Sequence, residues 1–161
     1  MHSAKSSICD CSPREERILA LVATVFTKII EGEIPGTFVW KDDVCVAFLS
    51  INPLATGHTL VVPRTETDHW IHLSRQQTAH LFDVAHVIGT AMNKTFPCER
   101  IGLIIAGYEV PHTHLHVVPT SNMSHLDFRN ARDSITREEL DHAAVLLRQT
   151  LREMGEKSVS D

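Results

Sequence analysis

Pro111-His112-Thr113-His114-Leu115-His116-Val117-Val118-Pro119 sets three imidazoles at alternating positions within an otherwise apolar run. Side chains that recur with period two share one face of a β-strand. The spacing therefore predicts a strand over 112–118 with His112, His114 and His116 side by side. A single histidine on a core face is commonly a hydrogen-bonded structural residue. Three in strict alternation differ, because every buried ring nitrogen without a partner costs desolvation energy. Zinc is the natural rival, since imidazole is a common ligand. At about 3.3 Å per residue, however, His112 and His116 lie about 13 Å apart along a straight strand, too far for all three rings to reach one ion at about 2.1 Å. A row of imidazoles suits phosphoryl chemistry instead. A neutral ring nitrogen is a nucleophile, and its neighbours donate hydrogen bonds to phosphoryl oxygens. Like charge between neighbouring rings is expected to hold at least one of them neutral at pH 7.

Outward from this segment, a strand is expected over 101–106, joined to the histidine strand by a turn around Gly107. Ser74 and Gln77 form a capping-box pattern, and Leu81, Phe82, Val84, Ala85, Ile88, Ala91 and Met92 then recur with helical period, predicting a central helix to about Thr95. Upstream, Phe38–Trp40, Val44–Leu49 and His58–Val62 read as short strands of an antiparallel meander, separated by Asp42, Asp43, Asn52, Pro53 and Gly57. An amino-terminal helix is expected to follow Pro13, its stripe Ile18, Leu19, Val22, Val25, Phe26, Ile29 and Ile30 ending at Gly32 and Pro35. A last helix over 136–154 starts at Thr136, with Glu139 answering its cap, and stops near Gly155; Leu140, Ala143, Ala144, Leu147 and Leu151 supply its inner face. Residues 1–13 are expected to be a flexible lead, 14–155 a single domain and 156–161 a loose tail.

With 161 residues, 43% of them hydrophobic and 22% charged, the chain is long and apolar enough for one buried core. A formal net charge of −5 argues against affinity for nucleic-acid polymers, which draws on Lys and Arg facing phosphates. No apolar run suggests a signal peptide or a membrane span, so a cytoplasmic protein without membrane association is expected. Cys9, Cys11, Cys45 and Cys98 then read as thiols, and Cys9 with Cys11 lacks the two further ligands of a closed zinc site.

His-x-His-x-His followed by two apolar residues resembles the signature of the histidine triad (HIT) family. The likeness extends to Val25–Pro35, to Val44–Ile51 and to Asn52, Pro53 and Gly57–Pro63, so it spans residues 25–119. The resemblance implies an α+β fold: an antiparallel five-stranded sheet per subunit, a long central helix, N- and C-terminal helices, and sheets joined in a homodimer. It implies a hydrolase or nucleotidyl transferase, phosphoramidases among them, that acts at the α-phosphate of a purine nucleotide conjugate and needs no cofactor. His114 falls on the nucleophile that becomes a nucleotidyl-histidine, while His112, His116 and His58 fall on the histidines that orient it and contact phosphate. Val25, Phe26, Ile29, Phe48 and Ile51 match an apolar base pocket; read without the family they are core residues. Ser50 stands where an acidic ribose contact is usual, and Tyr108 where Gln is usual. Glu109 is expected to transfer a proton or to hydrogen-bond His112. Some relatives bind structural zinc at positions that here are Thr24, Thr27 and Glu66, so no metal is expected. His69, Trp70 and His72 read as a surface or interface cluster. Two alternatives stand beside the enzyme: a nucleotide-binding module with little turnover, and a metal-binding protein built on the same histidines.

Overall fold

The computed structural model describes residues 23–161. The stripe residues Ile18, Leu19 and Val22, the lead 1–13, and Cys9 and Cys11 lie outside the described residues. The helix expected to run unbroken from Pro13 to Ile30 instead begins at Val25: Thr24 has extended backbone and its side chain caps the turn by accepting the Thr27 N–H.

Among the described residues the elements run α1 (Val25–Glu31), β1 (Phe38–Lys41), β2 (Cys45–Leu49), β3 (Thr59–Pro63), α2 (Arg75–Thr95), β4 (Arg100–Ile104), β5 (Leu115–Thr120) and α3 (Arg137–Glu153). The strands form one antiparallel sheet in the order β1-β2-β3-β5-β4. Both faces of its centre are covered, and period two sorts the side chains between them. Cys45, Ala47 and Leu49 of β2 join Val61, Leu115 and Val117 in a core shared with Leu81, Ile88 and Met92 of α2 and Leu140, Leu147 and Leu151 of α3. Val46 and Phe48 point the other way and join Leu60, Val62 and Phe26 of α1. Leu60 is the register partner of His116, so the α1 face is also the histidine face.

Both long helices begin as their sequences require. Ser74 and Thr136 accept the backbone N–H of Gln77 and Glu139, whose side chains reach back to the cap backbone. The Asp42 carboxylate organises the β1–β2 turn, accepting the N–H groups of Val44 and Cys45 at 2.8 Å each and the Trp40 indole N–H at 2.6 Å. It also holds His80 of α2 at 2.8 Å, tying that helix to the turn.

Two expectations change. The histidine strand begins at Leu115, so only His116 of the triad lies within the ladder. The partner strand ends in Pro63, which has no N–H to donate, and Thr113 instead gives its N–H to the carbonyl of Thr67 at 2.7 Å. The tail 156–161, expected to be loose, lies along β1. The Lys41 N–H donates to the Ser158 carbonyl (2.8 Å), the Ser160 N–H donates to the Val39 carbonyl (3.2 Å), and Val159 bridges Trp40. Trp40 is thereby buried, a pairing of residues far apart in the sequence that no local pattern announces.

Candidate active site

His58 is delivered to the site by a tight turn. Gly57 has φ +89°, and a Cβ there would lie 2.4 Å from the Phe96 ring, so backbone conformation and space both require glycine. The Leu54 N–H donates to His58 Nδ1 (3.1 Å), which leaves the proton of a neutral ring on Nε2. That N–H donates to His116 Nδ1 at 3.0 Å. His116, neutral in turn, carries its proton on Nε2, available to an incoming oxygen. Its ring packs edge-on against His114 (4.7 Å between centroids) and Phe128 (4.9 Å).

His114 is oriented by its own backbone. Nδ1–H donates to the carbonyl of His112 at 2.7 Å, so Nε2 keeps its lone pair. Phe26 packs edge-on against the ring at 4.9 Å. His112 turns its nitrogens elsewhere. Nε2–H donates to the Pro63 carbonyl (2.8 Å), and Nδ1 accepts from the Thr24 hydroxyl (3.0 Å). The Thr27 hydroxyl donates to Glu66, which also accepts the Thr24 N–H at 3.0 Å. The three positions at which some relatives hold zinc therefore form a hydrogen-bonded cluster under His112. The set does not fit that ion: structural zinc takes thiolate and imidazole ligands, and these hydroxyls and this carboxylate are already engaged with one another.

All four rings are buried, and burial is the largest influence on each. It lowers His58 to about 4, with help from His114, and His116 to about 3, with help from His58 and His114. It also lowers His112 and His114, against the hydrogen bonds to the carbonyls of Pro63 and His112. Neutrality is thus enforced chiefly by desolvation, and the expected repulsion between rings adds to it at His58, His114 and His116. Both nitrogens of His58 and both of His112 are taken, which leaves one free nitrogen each on His114 and His116, fewer than a closed zinc site needs.

The structure gathers His58, His112, His114 and His116 with Phe26, and places Phe48 and partly buried Ile29 in the same apolar cluster. Val25 is 41% and Ile51 68% exposed, so both lie at the protein surface. Ser50 follows β2 and gives its N–H to the His58 carbonyl (2.9 Å). Tyr108 and Glu109 are exposed on the loop before the triad. The expected Glu109–His112 hydrogen bond is absent, because both nitrogens of His112 are taken from the other side. The Glu109 charge is the smallest influence on His114, raising its pKa against a net lowering by burial. His69 and Trp70, expected in a surface cluster, are exposed and line a cleft at His114. Sequence reading missed two contributors: Asp68, which lines the same cleft, and Phe128, which packs on His116 from a segment outside the recognised motifs. Neither carries a local signal, since each arrives by tertiary folding.

A family model described as the HIT domain matches residues 31–123. An uncharacterised HIT-like protein of Borreliella burgdorferi is 36% identical over 102 residues, covering 59% of this chain and 73% of that one. Adenylylsulfatase HINT3 of Arabidopsis thaliana is 30% identical over 121 residues, 72% of this chain and 60% of that one. Among solved structures, a zinc-bound histidine triad family protein from Mycobacterium smegmatis superposes with a TM-score of 0.72 at 28% identity, covering 83% of this chain and 96% of that one.

Proposed function

The chain belongs to the histidine triad family, and from that premise we propose that it is a nucleotide-phosphate hydrolase or nucleotidyl transferase acting at the α-phosphate of a purine nucleotide conjugate. The observation that carries this reading is the commitment of His114 Nδ1–H to the His112 carbonyl at 2.7 Å. That bond aims an unprotonated Nε2 out of a buried ring, which is what an attack on phosphorus requires. His116 Nε2–H, set by the relay from Leu54 through His58, donates to a phosphoryl oxygen and stabilises the charge that develops there. His112, anchored by Thr24, Thr27 and Pro63, holds the carbonyl that orients His114. Phe26, Phe48 and Ile29, with Val25 and Ile51 at the rim, form the apolar seat for the base, and the Ser50 hydroxyl meets the ribose. Tyr108 and Glu109 stand at the leaving-group side. The protein works without a cofactor, in the cytoplasm, as a homodimer; among the described residues no helix is long and apolar enough to cross a membrane.

The test is rapid mixing with adenosine phosphoramidate. A burst of leaving group equal to the enzyme concentration is expected, with loss of at least about a thousandfold in His114→Ala, as for other nucleophile deletions. Tight nucleotide binding with no burst in the parent chain refutes the enzyme and leaves a binding module, the reading that the departures at Ser50 and Tyr108 favour.

A further inference from the structure

Asp42, Cys45 and His80 meet on the face of the sheet opposite the triad, where the β1–β2 turn is tied to α2. Among the described residues they are the one group of three His, Cys, Asp or Glu side chains whose ligand atoms all lie within 4.8 Å of one another. His80 Nε2 is 2.8 Å and Cys45 Sγ 3.7 Å from the same carboxylate oxygen, Oδ2 of Asp42. Separate parts of the fold supply them. Cys45 opens β2, Asp42 lies in the turn before it, and His80 stands in the second turn of α2.

More donors address this carboxylate than it can serve. A carboxylate offers about four lone-pair sites. Oδ1 accepts the N–H groups of Val44 and Cys45, while Oδ2 faces the Trp40 indole, the His80 ring and the Cys45 thiol, which makes five donors in all. The thiol gains least, since its contact is long and it is otherwise buried among apolar side chains. A single cation on Oδ2 replaces two of these protons, the imidazole's and the thiol's, and leaves three N–H donors and one ion for the four sites. Among the described residues no Lys or Arg forms an ion pair with Asp42 that would compete.

We propose that Asp42, Cys45 and His80 bind a zinc ion through Oδ2, Sγ and Nε2, with water in the fourth position. Thiolate, imidazole and carboxylate are the protein ligands of zinc, and a tetrahedral ion spaces such atoms about 3.4–3.6 Å apart. The Oδ2 distances of 2.8 and 3.7 Å bracket that spacing, and rotation of the His80 ring adjusts the rest. The side chains of His80 and Asp42 are 36% and 14% exposed, so ion and water enter from solvent. The amides of Val44 and Cys45 and the Trp40 indole hold the carboxylate in place, as outer partners hold a metal's ligands. On binding, Sγ gives its proton to solvent and the neutral imidazole keeps its one proton on Nδ1. The charges of carboxylate and thiolate then balance Zn²⁺. Unlike the cluster of Thr24, Thr27 and Glu66, this set contains both a thiol and an imidazole. The ion fastens α2 to the β1–β2 turn, away from the triad, and acts on stability rather than on turnover.

The test uses the full chain carrying Cys9→Ser, Cys11→Ser and Cys98→Ser, which leaves Cys45 as its single thiol. Metal is removed with a chelator, and Co²⁺ is added as a coloured substitute for Zn²⁺. A thiolate-to-cobalt charge-transfer band, with the intense visible bands of a tetrahedral ion, is expected to saturate at one equivalent and to bleach when Zn²⁺ is added. His80→Gln, at a partly exposed position, is expected to weaken cobalt binding at least about a hundredfold, more than the loss of an outer partner costs. Zn²⁺ is expected to raise the thermal unfolding midpoint of the single-thiol chain, because it binds the folded state, and to leave that of His80→Gln unmoved. Cobalt bound without the thiolate band, as at the triad histidines, overturns the site. So do the absence of uptake in excess cobalt, a thiolate band of undiminished affinity in His80→Gln, and a midpoint of the single-thiol chain that Zn²⁺ does not move. Should His80→Gln fail to fold, the thiolate band of the single-thiol chain decides alone.

Discussion

His58 and His116 share one hydrogen bond between ring nitrogens inside the protein, and this sets how the fold responds to acid. Burial first, and neighbouring imidazoles second, hold His58 at about 4 and His116 at about 3, against an ordinary value of 6.5. The folded chain therefore keeps both rings neutral while the unfolded chain protonates them near 6.5. Below that pH the unfolded state binds more protons, so stability present above 6.5 drains away as pH falls towards 4 and then 3. The expected loss between pH 7 and pH 4 is about 3 kcal/mol for each ring, about 6 kcal/mol for the pair, measured by urea unfolding at the two values. Asp42 adds nothing in that window, because its contribution, held at about 2 by hydrogen bonds that outweigh its burial, disappears only below 3.8. A stability that stays flat from pH 7 to pH 4 contradicts the neutral His58–His116 pair. The four histidines were legible as residues. Their tautomers were not, since these depend on the Leu54 N–H, on two backbone carbonyls and on the Thr24 hydroxyl, partners that no spacing reveals.

At the scale of elements, the two capping boxes are legible in the sequence, whereas the local Thr24 cap of α1 and the boundaries set by neighbours are not. Ser74 with Gln77 and Thr136 with Glu139 announce α2 and α3, because a capping box spans four residues of one chain segment. The start of β5 depends on Pro63 across the sheet, and so fell three residues later than the alternation of His112, His114 and His116 suggested. The carboxyl-terminal segment is the sharper case. Its polar composition reads as loose, yet Ser158 and Ser160 bond to β1, Val159 packs against the main core, and Arg152 donates to the Ser160 carbonyl at 3.0 Å. Removing residues 157–161 is expected to cost about 1–3 kcal/mol in urea unfolding and to expose Trp40 to solvent, seen as a red-shifted fluorescence maximum. Unchanged stability and emission count against the docked tail.

For the whole molecule, the two edges of the sheet have different fates. The tail covers β1, whereas among the described residues nothing pairs with the outer edge of β4. Beside β4 an apolar cleft of about 500 Å³ runs along α2, lined by Phe82, Gly89, Ile101 and Leu103, with Phe82 40% and Leu103 44% exposed. An open edge next to apolar surface favours pairing, and it is here that we place the proposed two-fold contact. Light scattering is expected to give twice the 18.0 kDa chain mass, and Leu103→Asp to give monomer. A monomeric parent chain at micromolar concentration rules the contact out. Taken by itself, the sequence determined the histidine triad, the mixed helix–strand order, the helix caps and the apolar stripes, because each is written in residues close together along the chain. Only the tertiary structure decided which partners fix each imidazole proton, that a threonine–glutamate cluster anchors His112, that Asp68 and Trp70 reach His114, and which sheet edge is left open. Those outcomes depend on contacts between distant segments, whose energies exist only once the chain has folded.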